Sequence, residues 1–233
     1  MEVDALITSV SDQQLPRCLD AVNNQTIPFS KVVHLDCVCP TSEAFNSGMS
    51  QTTGDWVVHL GGDMILDRDA LSRMVSFMES HGGDKISGYY FGLRDTFLKC
   101  RIGYLSMLEG KLYRNLKIEN HFVCDNKLVQ RLKRNGWSQI KNLRFVVGTH
   151  FDQPDEYQVF TRCYIHGVRY ARYPKRSLDN RLAQLFKQTG SPLYQLGIRA
   201  LKYGEAKKYY PGSHNLIFDR ENYSEWTRNH KSN

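Results

Sequence analysis

Residues 54–63 read Gly54-Asp55-Trp56-Val57-Val58-His59-Leu60-Gly61-Gly62-Asp63. A Gly-Asp turn opens the stretch, and a glycine-rich turn ending on a carboxylate closes it. The short apolar run between them is suited to a strand buried on both faces, as in a parallel sheet. In an open sheet of that kind, ligands bind beyond the carboxyl ends of the strands. The residues after Leu60 are therefore the first to inspect. A carboxylate in a glycine-rich turn has room to reach a metal-bound diphosphate, which makes Asp63 and its neighbour Gly62 candidates.

Working outward, the preceding residues repeat the pattern. Ala5 to Val10 forms a buried-strand run ending near Ser9, and Leu15, Cys18, Leu19 and Val22 follow at helical spacing. Ser11 or Asp12 would cap that helix. Val32 to Asp36 reads as a second strand, and Ser42 to Gln51 has helical character. On the other side, Asp67 would cap a helix carrying Leu71, Met74, Val75 and Met78, ended by Gly82-Gly83. Lys85 to Gly92 reads as a strand, and the Tyr/Leu/Arg-rich stretch after it has no clear period. A helix follows at Asp125–Asn135, closed by Gly136. Phe145 to Val147 is the last strand of this part, followed by Thr149-His150. Alternating strands and helices predict an α/β domain with a largely parallel sheet.

The strand-end residues are then Ser9, Asp36, Gly61-Gly62-Asp63 and His150. A carboxylate after the second strand, Asp36, can accept hydrogen bonds from a ribose or a base. Oxygen ligands and an imidazole converging at such an end suit Mn²⁺ or Mg²⁺ rather than structural zinc. Each residue also has a plainer reading: a turn carboxylate for Asp63 and Asp36, a satisfied structural imidazole for His150.

The order of these pieces resembles the family-2 branch of GT-A glycosyltransferases. The resemblance rests on Asn24-Gln25-Thr26, Val32 to Asp36, Glu43-Ala44-Phe45-Asn46-Ser47-Gly48, Gly54-Asp55 and Leu60 to Asp63. It continues through Asp125, Leu128, Arg131 and Gly136 to His150, and so covers about residues 5–150. It implies a GT-A fold: a Rossmann-like mixed, mostly parallel sheet flanked by helices. It also implies transfer of a sugar, with inversion, from a nucleoside-diphosphate sugar, most commonly a UDP sugar. Asp125 would be the catalytic base. Ser9, Asp36, Asn46, Gly62 and Asp63 would bind the nucleotide sugar, and Asp63 and His150 would hold a divalent cation, Mn²⁺ or Mg²⁺. One departure stands out: Gly61 occupies the place of the first Asp in the family's Asp-x-Asp motif, which leaves a metal-independent variant open.

The last third differs in charge. Residues 1–154 hold 17 Lys/Arg and 17 Asp/Glu, whereas residues 155–233 hold 14 against 7, so the net +7 of the chain resides there. Helical spacing at Tyr157–Ala171 and Leu178–Phe186, with a Ser191-Pro192 helix start, predicts two or three amphipathic helices over 155–210. The tail from Pro211 is polar and expected to be poorly ordered. The expected division is a catalytic domain at 1–154 and a basic C-terminal helical extension at 155–233.

Concentrated basic charge points to an anionic partner. The acceptor is accordingly a glycan or lipid-linked saccharide, or alternatively a hydroxylated base of modified viral DNA. A non-catalytic nucleotide-sugar or nucleic-acid binding protein is the third reading. No apolar run reaches the ~20 residues of a membrane span, and no basic-then-apolar start announces a signal peptide. Six cysteines without a Cys-x-x-Cys pair read as reduced, mostly buried thiols. The expected location is the cytoplasm, with peripheral contact at the inner membrane surface.

Overall fold

The computed structural model describes residues 1–10, 13–120, 124–150, 154–172, 177–209, 212 and 216–230. Ser11 and Asp12, the expected helix caps, lie outside these residues. The chain divides into two compact units, Met1–Asp152 and Gln153–Asn233.

The first unit is a seven-stranded mixed sheet with helices on both faces. Its strands are β1 (Val3–Ser9), β2 (Lys31–Asp36), β3 (Trp56–Gly61), β4 (Met64–Leu66), β5 (Ile86–Asp95), β6 (Cys100–Glu109) and β7 (Ser138–His150). They lie in the order β2-β1-β3-β6-β5-β7-β4. The pairs β1–β2, β1–β3 and β5–β7 run parallel, and β3–β6, β5–β6 and β4–β7 antiparallel. The helices are α1 (Leu15–Asn23), α2 (Thr41–Gln51), α3 (Ala70–Ser80), α4 (Gly110–Arg114) and α5 (Cys124–Arg134).

Strand alternation builds two cores. Ala5, Ile7, Val58 and Leu60 enter a core with Cys18, Val22, Leu71 and Met74 from α1 and α3. Leu6 and Val57 enter the opposite one, with Phe45 and Met49 from α2 and Leu128 and Leu132 from α5. Gly48 permits the close approach of α2, since a Cβ there would stand 2.3 Å from Leu6 Cδ1.

The stretch at 54–63 is held at its start by Asp4, a buried carboxylate whose Oδ2 accepts from the backbone N–H groups of Thr53 and Gly54 at 2.7 and 2.8 Å. The Asn24-Gln25-Thr26 turn has a mechanical role. Gln25 Oε1 accepts from the Leu71 N–H at 2.9 Å, while its Nε2 donates to the carbonyls of Ala21 and Asp67. One amide thereby ties the end of α1 to the start of α3 and satisfies a helix N–H that has no partner within its own helix. The N-cap position of α3 is Asp69 rather than the expected Asp67. Asp67 instead pairs with Arg73 at 3.2 Å and with Arg94.

The unpatterned stretch after residue 92 is the β5–β6 hairpin. β5 also runs beside β7 with register shifts: Phe91 faces Asn142, Gly92 faces Val146, and Asp95 faces His150. β7 therefore takes eight steps where β5 takes four. Gly92 makes room for this bulge, because a Cβ there would lie 2.3 Å from the Leu143 carbonyl oxygen.

The second unit consists of α6 (Glu156–Arg172), α7 (Ser177–Thr189), α8 (Pro192–Lys207) and α9 (Leu216–His230). α6 and α8 touch backbone to backbone: a Cβ on Gly167 would meet the Leu201 carbonyl at 2.0 Å, and one on Gly204 the Tyr164 carbonyl at 2.1 Å. Phe160, Tyr164, Tyr203, Tyr223 and Trp226 form an aromatic cluster between α6, α8 and α9. The expected disordered tail instead contains α9, anchored by buried Trp226 and Asp219. Among the described residues no helix is long and apolar enough to cross a membrane. Cys18 and Cys163 are buried thiols; Cys37 and Cys100 are exposed, against the expectation of mostly buried ones.

Candidate functional site

The carboxyl ends of β1, β2 and β3 bring Ser9, Asp36 and Gly61 to one edge of the sheet. Ser9 and Asp36 are register partners, as are Thr8 and Gly61. The Ser9 hydroxyl donates to Asp36 Oδ1 at 2.5 Å and lies 2.9 Å from His34 Nε2. A hydroxyl has one proton, so with that proton on Asp36 the imidazole is the donor to Ser9 Oγ. The relay His34–Ser9–Asp36 fixes one carboxylate oxygen of an otherwise exposed Asp36. Gly62 continues the edge, its N–H donating to the Thr8 carbonyl at 3.1 Å.

Asp63 and His150 meet at the same end. His150 Nε2 lies 3.3 Å from Asp63 Oδ2, and its Nδ1 lies 3.2 Å from Asp95 Oδ2. The Asp95 side chain is fully buried, and its Oδ1 accepts from the Leu98 N–H at 2.6 Å, closing the β5–β6 turn. In the neutral tautomer that carries its proton on Nδ1, the ring donates to the buried Asp95 carboxylate and its Nε2 lone pair faces Asp63. Two electron-rich atoms at 3.3 Å need a cation to share, either a proton or a metal ion.

The donor set, one carboxylate oxygen and one imidazole nitrogen, fits Mn²⁺ or Mg²⁺. Among the described residues no group of three His, Cys, Asp or Glu side chains could hold a metal unaided. Such an ion would take its remaining ligands from phosphate and water, the common arrangement for Mg²⁺. Asp95 is the functional residue that sequence reasoning missed. Its only signal was an Asp closing a run of strand formers.

Gly61 bears on the same carboxylate. A Cβ at this position would stand 2.7 Å from Asp63 Oδ1. The missing first carboxylate of the motif and the position of the remaining one are thus geometrically linked.

Beside these residues lies a cavity of about 410 Å³, reached by Gly61 and Met64 at one side. Phe45, Leu108, Tyr113 and Leu128 supply apolar walls. His59, Ser106, Tyr90 and Lys141 also line it, and they are successive register partners across β3, β6, β5 and β7. His59 Nε2 lies 3.1 Å from Thr8 Oγ1, and Phe45 packs edge-on against the imidazole at 5.1 Å.

The two remaining candidates lie around this cavity. Asn46 commits both ends of its amide to the backbone of Ile118, donating to its carbonyl and accepting from its N–H at 2.9 Å each. That fastens to α2 a loop whose Ile118 side chain lines the cavity. Asp125 falls in the first turn of α5, three and four positions before the cavity-lining Leu128 and Val129. Its side chain lies outside the described ones.

Comparison with known proteins agrees with this architecture. Residues 40–134 match the family model described as Glycosyl transferase family 2. No curated protein matches the chain by sequence. Among solved structures, Staphylococcus aureus TarS (residues 1–349) superposes with a TM-score of 0.53 at 12% identity, over 89% of this chain and 88% of that one. The mannosyltransferase PcManGT from Pyrobaculum calidifontis, in complex with GDP-Man and Mn²⁺, gives 0.53 at 12% identity, over 97% and 80%. TarS in complex with UDP gives 0.52 at 10% identity, over 89% and 88%. At such identities the likeness to solved structures is one of fold. The family-2 match lies across α2, β3, the Gly61–Asp63 turn and α5, so this segment is similar to family-2 glycosyl transferases, on a fold that the chain shares with the glycosyltransferases it superposes on.

Proposed function

We propose that the protein transfers a sugar, with inversion, from a nucleoside-diphosphate sugar to an acceptor hydroxyl on a glycan or lipid-linked saccharide. The observation that carries this reading is the meeting of Asp63 and His150 at the strand ends that also bear Ser9 and Asp36, beside a cavity of about 410 Å³. UDP is the favoured nucleotide, in keeping with the UDP held by TarS, although PcManGT holds GDP-Man.

In this reading Asp36, steadied by Ser9, accepts hydrogen bonds from the nucleoside. Asp63 and His150 hold a divalent cation. Such an ion neutralises charge developing on a leaving diphosphate. Asp95 keeps the His150 Nδ1 proton in place, so that Nε2 remains a ligand. Asp125 takes the proton of the attacking hydroxyl, a general-base contribution of about 10²–10⁴-fold. A single base opposite the leaving group gives inversion. The basic charge of residues 155–233 attracts an anionic partner, such as lipid head groups or a pyrophosphate carrier.

The test is calorimetric binding of UDP, GDP and dTDP, each with and without Mn²⁺, to the wild type and to Asp63→Ala. The expected result is metal-dependent binding of one nucleotide, abolished in the variant. No binding of any of the three, with or without metal, would remove the reading. Full transfer activity in Asp125→Asn would remove the base from it.

A further inference from the structure

The row of residues across the cavity has a chemical direction. Its members come from four neighbouring strands, so at about 4.8 Å per strand it runs about 14 Å from His59 to Lys141. At the β3 end stand His59 and Gly61, near the Asp63 turn. At the β7 end stands Lys141, whose Nζ lies over the Tyr90 ring, 5.2 Å from its centroid. Among the described residues that line the cavity there is one permanent cation and no carboxylate.

The same end holds an unmet hydrogen-bonding demand. Gln139 lines the cavity beside Lys141 and donates from Nε2 to the Tyr90 hydroxyl at 3.0 Å. Its Oε1 is buried with no partner. Turning the amide over leaves the difficulty in place: one end bonds Tyr90, and the other is a buried polar atom without a mate. Such atoms are rare in folded proteins, and each calls for an occupant.

From these features, and resting on the glycosyl-transfer reading above, we infer that the cavity is the acceptor site. Lys141, Tyr90 and Gln139 select an acceptor that carries a negatively charged group, phosphate or carboxylate, at the end remote from the reacting hydroxyl. The reacting hydroxyl lies toward Gly61, where the donor sugar would enter. The acceptor's charged group lies at Lys141, and a hydroxyl or amide next to it meets the Gln139 side chain. Phosphate and carboxylate share the chemistry that Lys141 recognises, and only acceptor comparison separates them.

The experiment uses the full chain with the sugar nucleotide identified by calorimetry. Transfer is measured onto matched disaccharide acceptors ending in a neutral sugar, a uronate or a sugar phosphate, for wild type, Lys141→Gln and Lys141→Arg. The expected wild-type kcat/KM is at least about ten-fold higher for one or both anionic acceptors than for the neutral one, expressed in KM. Lys141→Gln brings that ratio to about one, and Lys141→Arg keeps it. The ratio is internal to each variant, so a loss of folded protein does not mimic the result. Equal use of neutral and anionic acceptors by the wild type would overturn the inference, as would an undiminished ratio in Lys141→Gln. Either outcome leaves the donor site standing. A wild-type protein that binds no sugar nucleotide would instead overturn the transferase reading and this inference with it.

Discussion

His150 stands between two carboxylates that treat it differently. Asp95 is fully buried and faces Nδ1, whereas Asp63 is partly open and faces Nε2. In the proposed reading this asymmetry gives orientation of the ring to Asp95 and ligation of the cation to Asp63. Asp95→Asn keeps the shape and removes the charge, and its amide can present N–H where the imidazole needs an acceptor. The expected outcome is a fall of about 10–100-fold in Mn²⁺ affinity, measured by calorimetry in the presence of the nucleotide. The strand-end positions of Asp63 and His150 were legible in the sequence because both follow strands that a short apolar run makes recognisable. Asp95 was not, because its strand shows no alternation and its hairpin turn, Asp95 to Cys100, contains neither Gly, Pro nor Asn. That turn is closed by the Asp95 side chain itself, a bond that leaves no mark in composition.

Elements in this protein are joined by a few side-chain amides as well as by hydrophobic faces. Gln25 is the clearest case, since three backbone groups of α1, α3 and the turn before α3 depend on it. Gln25→Leu would leave the buried Leu71 N–H without an acceptor. The expected loss is about 2–3 kcal/mol of stability, read from denaturant midpoints at constant m-value. Most elements were legible: α2, α3, α5 and the first three strands follow from apolar period and turn residues. α9 was missed because its sequence, Leu216 to His230, is largely polar, and the packing of Tyr223 and buried Trp226 against Phe160 holds it instead. The order of the strands was beyond reach for a different reason. Insertion of the β5–β6 hairpin between β3 and β7 is a pairing choice made across the sheet, and no local propensity encodes it.

Across the whole molecule, charge and burial set how the protein answers to pH. His166 of α6 has its pKa pushed down to about 4, by burial first and then by the positive charges of Arg169 and Arg162. The folded state holds this ring neutral while the unfolded chain protonates it near 6.5. Stability is therefore retained above pH 6.5 and lost as pH falls from 6.5 to about 4, by about 3 kcal/mol at most. Unfolding of the full chain at pH 4.5 and pH 7 should show this loss in the wild type and a smaller one in His166→Asn; equal pH sensitivity in both would refute the assignment. The bulge in β7 carries a further consequence. Asp95 faces His150 only because β7 spends four more residues than β5 on the way to it, around the partly exposed Leu143. The site is thus inherited as a length. A lineage could exchange the exposed side chains of Leu143 and Arg144 and keep its chemistry, whereas deletion of a single residue of this bulge would slide the imidazole out of reach of both carboxylates while leaving every recognisable motif intact.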